Sequence, residues 1–176
     1  MRCAGPIGIM SLYRKGRPMR ASDLEVSLPL VRRETTALEA ARLIAHERLA
    51  GLVVADDVGT PVAVVSSADV LGLMVPGYVL DDLSLAGVLD EAGADEMWAR
   101  INERTIAELL DDEGVTVREI TRIDADANLV ELAATMVDTH SQIAVVGECT
   151  PEARFVTLPI VMDAIVAAYG KGAARA

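Results

Sequence analysis

Apolar positions along this chain follow two rhythms. Short uninterrupted apolar runs, Gly51–Ala55, Val62–Val65, Ile143–Val146 and Phe155–Val156, are rich in Val and bounded by Gly, Asp or Pro. Runs of that length and composition predict strands buried on both faces. Longer stretches carry helical spacing. Leu38, Ala41, Ile44 and Ala45 form one apolar stripe, and Thr36 and Glu39 stand ahead of it as a T-x-x-E capping box. Asn128 and Glu131 do the same for a second helix. Ser67–Met74 and Leu158–Tyr169 each run straight on from a strand and predict two further helices. Pro29–Arg33 and Thr116–Ile123 predict short extended segments, and Asp56-Asp57-Val58-Gly59 and Gly147–Pro151 supply turn chemistry between paired strands.

The pattern occurs twice. Shifted by 91 positions, Leu38 falls on Leu129, Leu52-Val53-Val54 on Ile143-Ala144-Val145, and Val65-Ser66 on Val156-Thr157, with no gap from Leu38 to Ser66. Upstream the match slips by one residue, and the second copy gains a few residues around Asp111–Thr116. The expected fold is α/β (α+β): two β-α-β-β-α repeats packed around a pseudo-two-fold axis, because neither copy covers its own sheet at this size. The expected organisation is a solvated tail over 1–18, a first repeat over 19–76, an inserted helical segment over 77–104, a second repeat over 105–169, and a tail over 170–176. Within the insertion, Asp81–Leu89 and Asp95–Leu110 read as amphipathic helices separated by Gly93, with Glu96 and Arg100 as an i,i+4 pair. Met97, Trp98 and Ile101 form an apolar stripe, and Trp98 reads as a packing residue.

Composition and charge narrow the function. Of 176 residues 52% are apolar but only 3% aromatic, so the core must be built from Ala, Val, Leu and Ile. Net charge is −11, unevenly spread: Arg2, Arg14, Lys15, Arg17 and Arg20 lie in the first 20 residues, and Lys171 and Arg175 in the last few. The stretch between those ends holds nine basic against 27 acidic residues, which repels a phosphate backbone and argues against nucleic-acid binding. No apolar run approaches the ~18 residues of a spanning helix. Cys3 and Cys149 stand alone, with neither disulfide nor zinc spacing, as expected of a cytoplasmic protein. His46 and His140 are not at equivalent repeat positions, and no H-x-x-x-H, G-x-S-x-G or phosphate-binding glycine loop occurs. The expectation is a protein that is not an enzyme, with no obligatory cofactor and no metal site.

The segments Leu28 to Leu43, Leu49 to Gly59 and Val62 to Leu71 together resemble a complete CBS (cystathionine β-synthase-type) domain. Thr105 through Ile165 resembles a second, and Met19-Arg-Ala-Ser-Asp-Leu24 resembles the usual lead-in to the first. The resemblance covers nearly the whole chain apart from the tails and the insertion. It implies a Bateman module: a regulatory unit that binds adenosine-containing ligands (AMP, ADP, ATP, S-adenosylmethionine or a related nucleotide), dimerises, and modulates an enzyme or transporter, here in trans.

The family's ribose signature, a strand ending in Ser or Thr, two residues, then Asp, is present as Ser66-Ser67-Ala68-Asp69. A helix N-terminus offers N–H groups to a phosphate, and a carboxylate one turn in can accept hydrogen bonds from a ribose diol. The same arrangement is also a plain helix cap. In the second copy Thr157 matches Ser66, but Ile160 stands in place of Asp69, so that site is expected to be empty or to bind without ribose readout. Arg154 replaces a glycine common in the family, either reaching a phosphate or filling the second cleft. The resemblance places adenine against Val31, Arg32, Gly51, Leu52 and Val53, which also read as core strand residues. Arg32, Arg33, Arg118 and Arg122 are candidate phosphate partners, or surface arginines at strand ends. The alternative function is a protein-interaction module that has lost ligand binding, held to its partner by Asp81–Leu110.

Overall fold

The computed structural model describes residues 19–88, 90–99, 103–111 and 119–169. The expected tails, the added residues near 112–116, and Arg100, Ile101 and Arg118 lie outside them. In chain order the elements are a short 3-10 helix Ala21–Asp23, β1 Leu30–Val31, α1 Ala37–Glu47, β2 Gly51–Ala55, β3 Pro61–Ser66 and α2 Ser67–Met74. The insertion follows with α3 Gly77–Asp81, a 3-10 helix Leu83–Val88 and α4 Glu91–Ala99. Then come α5 Ile106–Asp111, β4 Thr121–Ile123, α6 Leu129–Asp138, β5 Ile143–Val146, β6 Arg154–Thr157 and α7 Leu158–Tyr169. The β-α-β-β-α unit is therefore used twice, in a mixed α/β fold.

The chain divides into two compact units. The first holds Leu28–Ile120 with Cys149–Glu152 and carries the sheet β1-β2-β3. Strand β2 pairs parallel with β1 and antiparallel with β3. One sheet face, Leu52, Val54, Ala63 and Val65, meets α1, α2 and α5 through Ala37, Ala40, Val70, Leu73, Ile106 and Leu109. The other face, with Val53 and Val64, is buried as well, which is why β2 is an unbroken apolar run rather than an alternating one. The β2–β3 turn is held by Asp56, whose Oδ1 accepts the N–H groups of Val58 (3.0 Å) and Thr60 (2.8 Å). Gly59 closes it at φ 90°, where a side chain is strained.

The second unit holds 19–27, Thr121–Glu148 and residues from Ala153 on, around the sheet β4-β5-β6 with the same parallel and antiparallel pairings. Ile123, Leu132, Met136, Ala144, Val156, Val161 and Ala164 form its core under α6 and α7.

Strand register corrects the uniform 91-residue shift. Gly51 pairs with Ser66 and Ile143 with Thr157, so the copies lie 92 residues apart up to β2 and β5, and 91 apart from β3 and β6 onward. The helix caps follow the longer offset: Thr36 corresponds to Asn128, and the left-handed residues after the helices are Arg48 (φ 54°) and His140 (φ 51°). The first copy has one extra residue in its strand–strand turn, beside the register shift at Val54/Ala55. Leu38 therefore matches Val130, not Leu129.

The segment leading into each copy packs on the other copy's unit. Ala21 and Leu24 enter the core of the second unit, and Ile106 and Leu109 that of the first. The local chemistry is the same in both. Asp23 accepts the Arg20 N–H (3.0 Å) and Glu108 the Thr105 N–H (3.0 Å). Ala21 N donates to Ala127 O (2.9 Å) and Ile106 N to Thr35 O (3.0 Å), just ahead of the N-caps of α6 and α1.

The insertion differs from expectation. Gly93 lies inside α4 rather than between helices, and Asp95–Leu110 is not one helix, since α4 ends at Ala99 and α5 begins at Ile106. Trp98 is 44% exposed, so it is not the packing residue its apolar neighbours suggested.

Candidate ligand site

The junction of β3 and α2 positions the strongest candidates. Ser66 ends β3 in an extended conformation and caps α2. Its Oγ accepts the Asp69 N–H (3.1 Å), while Asp69 Oδ2 accepts the Ser66 N–H (2.8 Å) and the Ser66 hydroxyl (2.7 Å). Ser67 N donates to Ala50 O (3.0 Å). Of the first three N–H groups of α2, only that of Ala68 has no partner among the described residues, which leaves one donor for an anion. Asp69 Oδ1 likewise accepts nothing among the described residues, and both Ser66 and Asp69 are half-buried. The carboxylate can therefore cap the helix through one oxygen and accept a hydroxyl through the other.

The cap itself is not special to this site. Thr36 and Glu39 make the same three bonds at α1: Thr36 N (3.2 Å) and Oγ1 (3.1 Å) to Glu39 Oε2, and Glu39 N to Thr36 Oγ1 (3.2 Å). What distinguishes Ser66–Asp69 is its partial burial and its place at the start of β2, where Gly51 lies opposite Ser66. An ideal Cβ on Gly51 would stand 2.5 Å from Val65 O, so glycine is needed for the strands to approach.

The other candidates separate along the sheet. Leu52 and Val53 are 1% and 0% exposed and Val31 is buried, so their side chains belong to the interior and only their backbone is left for recognition. Register pairs Val31 with Val54, which sets Arg32 level with Ala55. That is four residues along β2 from Gly51, or about 13 Å at ~3.3 Å per residue. Arg32 thus stands at the opposite end of the sheet from Ser66 and Asp69. It lines a shallow groove with Arg42 and His46 beside α1. Arg33 is paired with Asp111 (2.7 Å). The same register, carried two residues back, puts half-buried Leu28 level with Gly51. Leu28 was missing from the expected site because only strand pairing reveals its position.

In the second unit, Thr157 occupies the place of Ser66, and Leu158 N donates to Gln142 O (2.9 Å) as Ser67 N does to Ala50 O. Pro159 has no N–H to offer, and Ile160 packs against the unit's core. Arg154 is already engaged: its guanidinium donates to the Ser27 hydroxyl and lies 3.7 Å from Glu25. Neither expected role, phosphate contact or filling of the second cleft, included this contact with the lead-in segment. Arg122 is exposed on β4. Among the described residues, no cluster of His, Cys, Asp and Glu is arranged to hold a metal, and no helix is long and apolar enough to cross a membrane.

Comparison with known proteins agrees with this fold. The family model for the CBS domain matches residues 22–76. No curated protein matches the chain. Among solved structures, a CBS domain-containing protein of unknown function from Kribbella flavida is 30% identical. That match covers 84% of this chain and 99% of that one, with a TM-score of 0.68. CBSX2, from Arabidopsis thaliana, in complex with AMP is 19% identical over 84% of this chain and 96% of its own, with a TM-score of 0.55. The CBS domain of the bacterial CNNM/CorC family Mg2+ transporter, in complex with ATP, is 16% identical over 84% and 87%, with a TM-score of 0.54. The last two share the fold, whereas the Kribbella protein is near enough in sequence and coverage to settle kinship, and the chain belongs to the CBS-domain family.

Proposed function

We propose that this chain is a regulatory module, not an enzyme, that binds an adenosine-containing small molecule in its first copy and modulates a partner enzyme or transporter in trans. The observation that carries this reading is the half-buried Ser66–Asp69 cap, with Asp69 Oδ1 available to a ribose hydroxyl. The AMP and ATP in two fold relatives support it. The second copy, with Ile160 packed against its core and Arg154 bonded to Ser27, is the one left without ribose readout. Residues 19–76 and 105–169 are the repeating units of the sequence, and the chain works as a cytoplasmic homodimer. The dimer is supported by the exposed apolar stripe Met162, Ile165, Val166 and Tyr169 on α7, with Leu71 exposed on α2.

Thermal unfolding against AMP, ADP, ATP and S-adenosylmethionine tests the reading. A ligand at a hundred times its dissociation constant stabilises by about 2.7 kcal/mol, which raises Tm by several degrees at this size. A shift with one adenosine compound that disappears in Asp69→Ala is the expected result. A shift that survives in Asp69→Ala removes the site assignment. No shift with any compound transfers the function to the second reading, a protein-interaction module without ligand, which the exposed insertion favours.

A further inference from the structure

Charge at the β3–α2 junction is one-sided. From Leu49 to Ala99 the sequence holds no basic residue, so β2, β3 and α2 carry none, and Asp69 is the one charged group in those three elements. The nearest bases in sequence are Arg48 and Arg100. Arg48 is exposed where α1 ends, and Arg100 lies outside the described residues.

The N-terminus of α2 adds little positive potential. Ser67 N and Asp69 N are already bonded, which leaves the Ala68 N–H. The Asp69 carboxylate sits in the same first turn and offsets the helix dipole there. A phosphate brought to this turn would meet one donor and one negative charge. Other described arginines are engaged or placed elsewhere. Arg20, Arg33, Arg104 and Arg154 are paired with Asp126, Asp111, Glu108 and Glu25. Arg104 also donates to Leu73 O (3.1 Å), at the opposite end of α2 from Ser66. Arg32 and Arg42 line the groove beside α1, which includes neither Ser66 nor Asp69. Arg122 is exposed on β4 of the second unit.

We propose that the first-copy site selects its adenosine ligand by charge: it takes a compound whose 5′ substituent is neutral or cationic, adenosine or S-adenosylmethionine, in preference to AMP or ATP. This rests on the ligand-binding reading above and narrows its ligand class. A ribose is smaller than the ~8 Å over which charges act at physiological salt. The carboxylate that accepts a ribose hydroxyl therefore repels a 5′-phosphate and attracts a 5′-sulfonium.

The experiment is calorimetry on the full chain with adenosine, S-adenosylmethionine, AMP and ATP, free of divalent metal, at low and high salt. Adenosine and S-adenosylmethionine should bind at least about tenfold more tightly than AMP, and AMP more tightly than ATP. Raising salt should strengthen AMP binding, because it screens a repulsion, and weaken S-adenosylmethionine binding, because it screens an attraction. Asp69→Asn removes the charge at constant shape and should bring the adenosine and AMP affinities closer together; if that variant binds neither, the salt series on the unaltered chain decides. AMP or ATP bound as tightly as adenosine, or an AMP affinity that falls with salt, overturns the charge selection and leaves the ligand site standing. Silence from all four compounds removes the site itself, and this inference with it.

Discussion

Asp69 Oδ2 accepts both the N–H and the hydroxyl of Ser66, at 2.8 and 2.7 Å, and Ser66 Oγ accepts the Asp69 N–H in return. Three bonds within four residues fix the first turn of α2. Any loss of ligand on mutating Asp69 is therefore mixed with loss of a cap. The chain contains its own control, because Thr36 and Glu39 cap α1 in the same way.

Asp69→Ala and Glu39→Ala should each lower stability by about 1 kcal/mol, the usual worth of a cap, as measured by denaturant unfolding. Only Asp69→Ala should abolish nucleotide binding by calorimetry. Equal binding losses in the two variants would mean that the effect is structural and that Asp69 is no ligand.

How much of this was legible before the structure depends on the range of the interaction. Gly51–Ala55, Ile143–Val146, Ser67–Met74 and Leu158–Tyr169 match the observed elements residue for residue, since their apolar runs and strand–helix junctions are local signals. The Thr36–Glu39 cap was likewise readable, being three residues wide. The repeat offset was not, because Leu38 matches Leu129 in type as well as it matches Val130, and only the pairing of Gly51 with Ser66 and Ile143 with Thr157 reveals the extra turn residue. Arg32 was grouped with Asp69 on resemblance, yet strand register separates them by most of the length of β2. Arg154 could be placed at a cleft from the repeat, but its partners Glu25 and Ser27 lie more than a hundred residues away in sequence.

Gly51→Ala should be costly although alanine is the smallest change available. The added Cβ would meet backbone at 2.5 Å, and the Val65 carbonyl is held in the β2–β3 ladder and cannot swing aside as a side chain would. A loss of about 1–3 kcal/mol is expected, as for overpacking elsewhere. Gly72→Ala is the control: a Cβ there meets nothing within 4 Å, in the middle of α2. It should be neutral or stabilising, since alanine is the better helix former by up to ~1 kcal/mol. Equal melting temperatures for the two variants would contradict the close approach of the strands.

The second copy should be silent in ligand binding. Ile160→Ala should lower stability, because Ile160 packs on the core of its unit, and should leave nucleotide affinity unchanged. Arg154→Ala breaks an exposed pair with Glu25 and should cost no more than about 1 kcal/mol. It too should leave affinity unchanged, because the guanidinium is already bonded to Ser27. A tenfold loss of affinity in Arg154→Ala by calorimetry would instead put that arginine on the ligand's phosphate.

Helix α7 is apolar on two sides. Val161 and Ala164 are buried in its unit, while Met162, Ile165, Val166 and Tyr169 follow at i, i+3, i+4 and i+7 on the outside, with Met162 56% and Val166 66% exposed. A surface helix normally keeps its outer face polar, and one that is apolar all round is normally covered. In a homodimer a second copy of the chain covers it, and a two-fold interface presents the same stripe from both sides. Light scattering at micromolar concentration should then give twice the 18.7 kDa chain mass. Met162→Asp with Val166→Asp should give the single-chain mass, because two carboxylates on each copy would be buried opposite one another without partners. Neither residue lies in the core of its unit, so the melting curve of the variant should stay cooperative. A dimer that survives both substitutions would move the interface off α7, and a wild-type monomer would leave the stripe for some other partner.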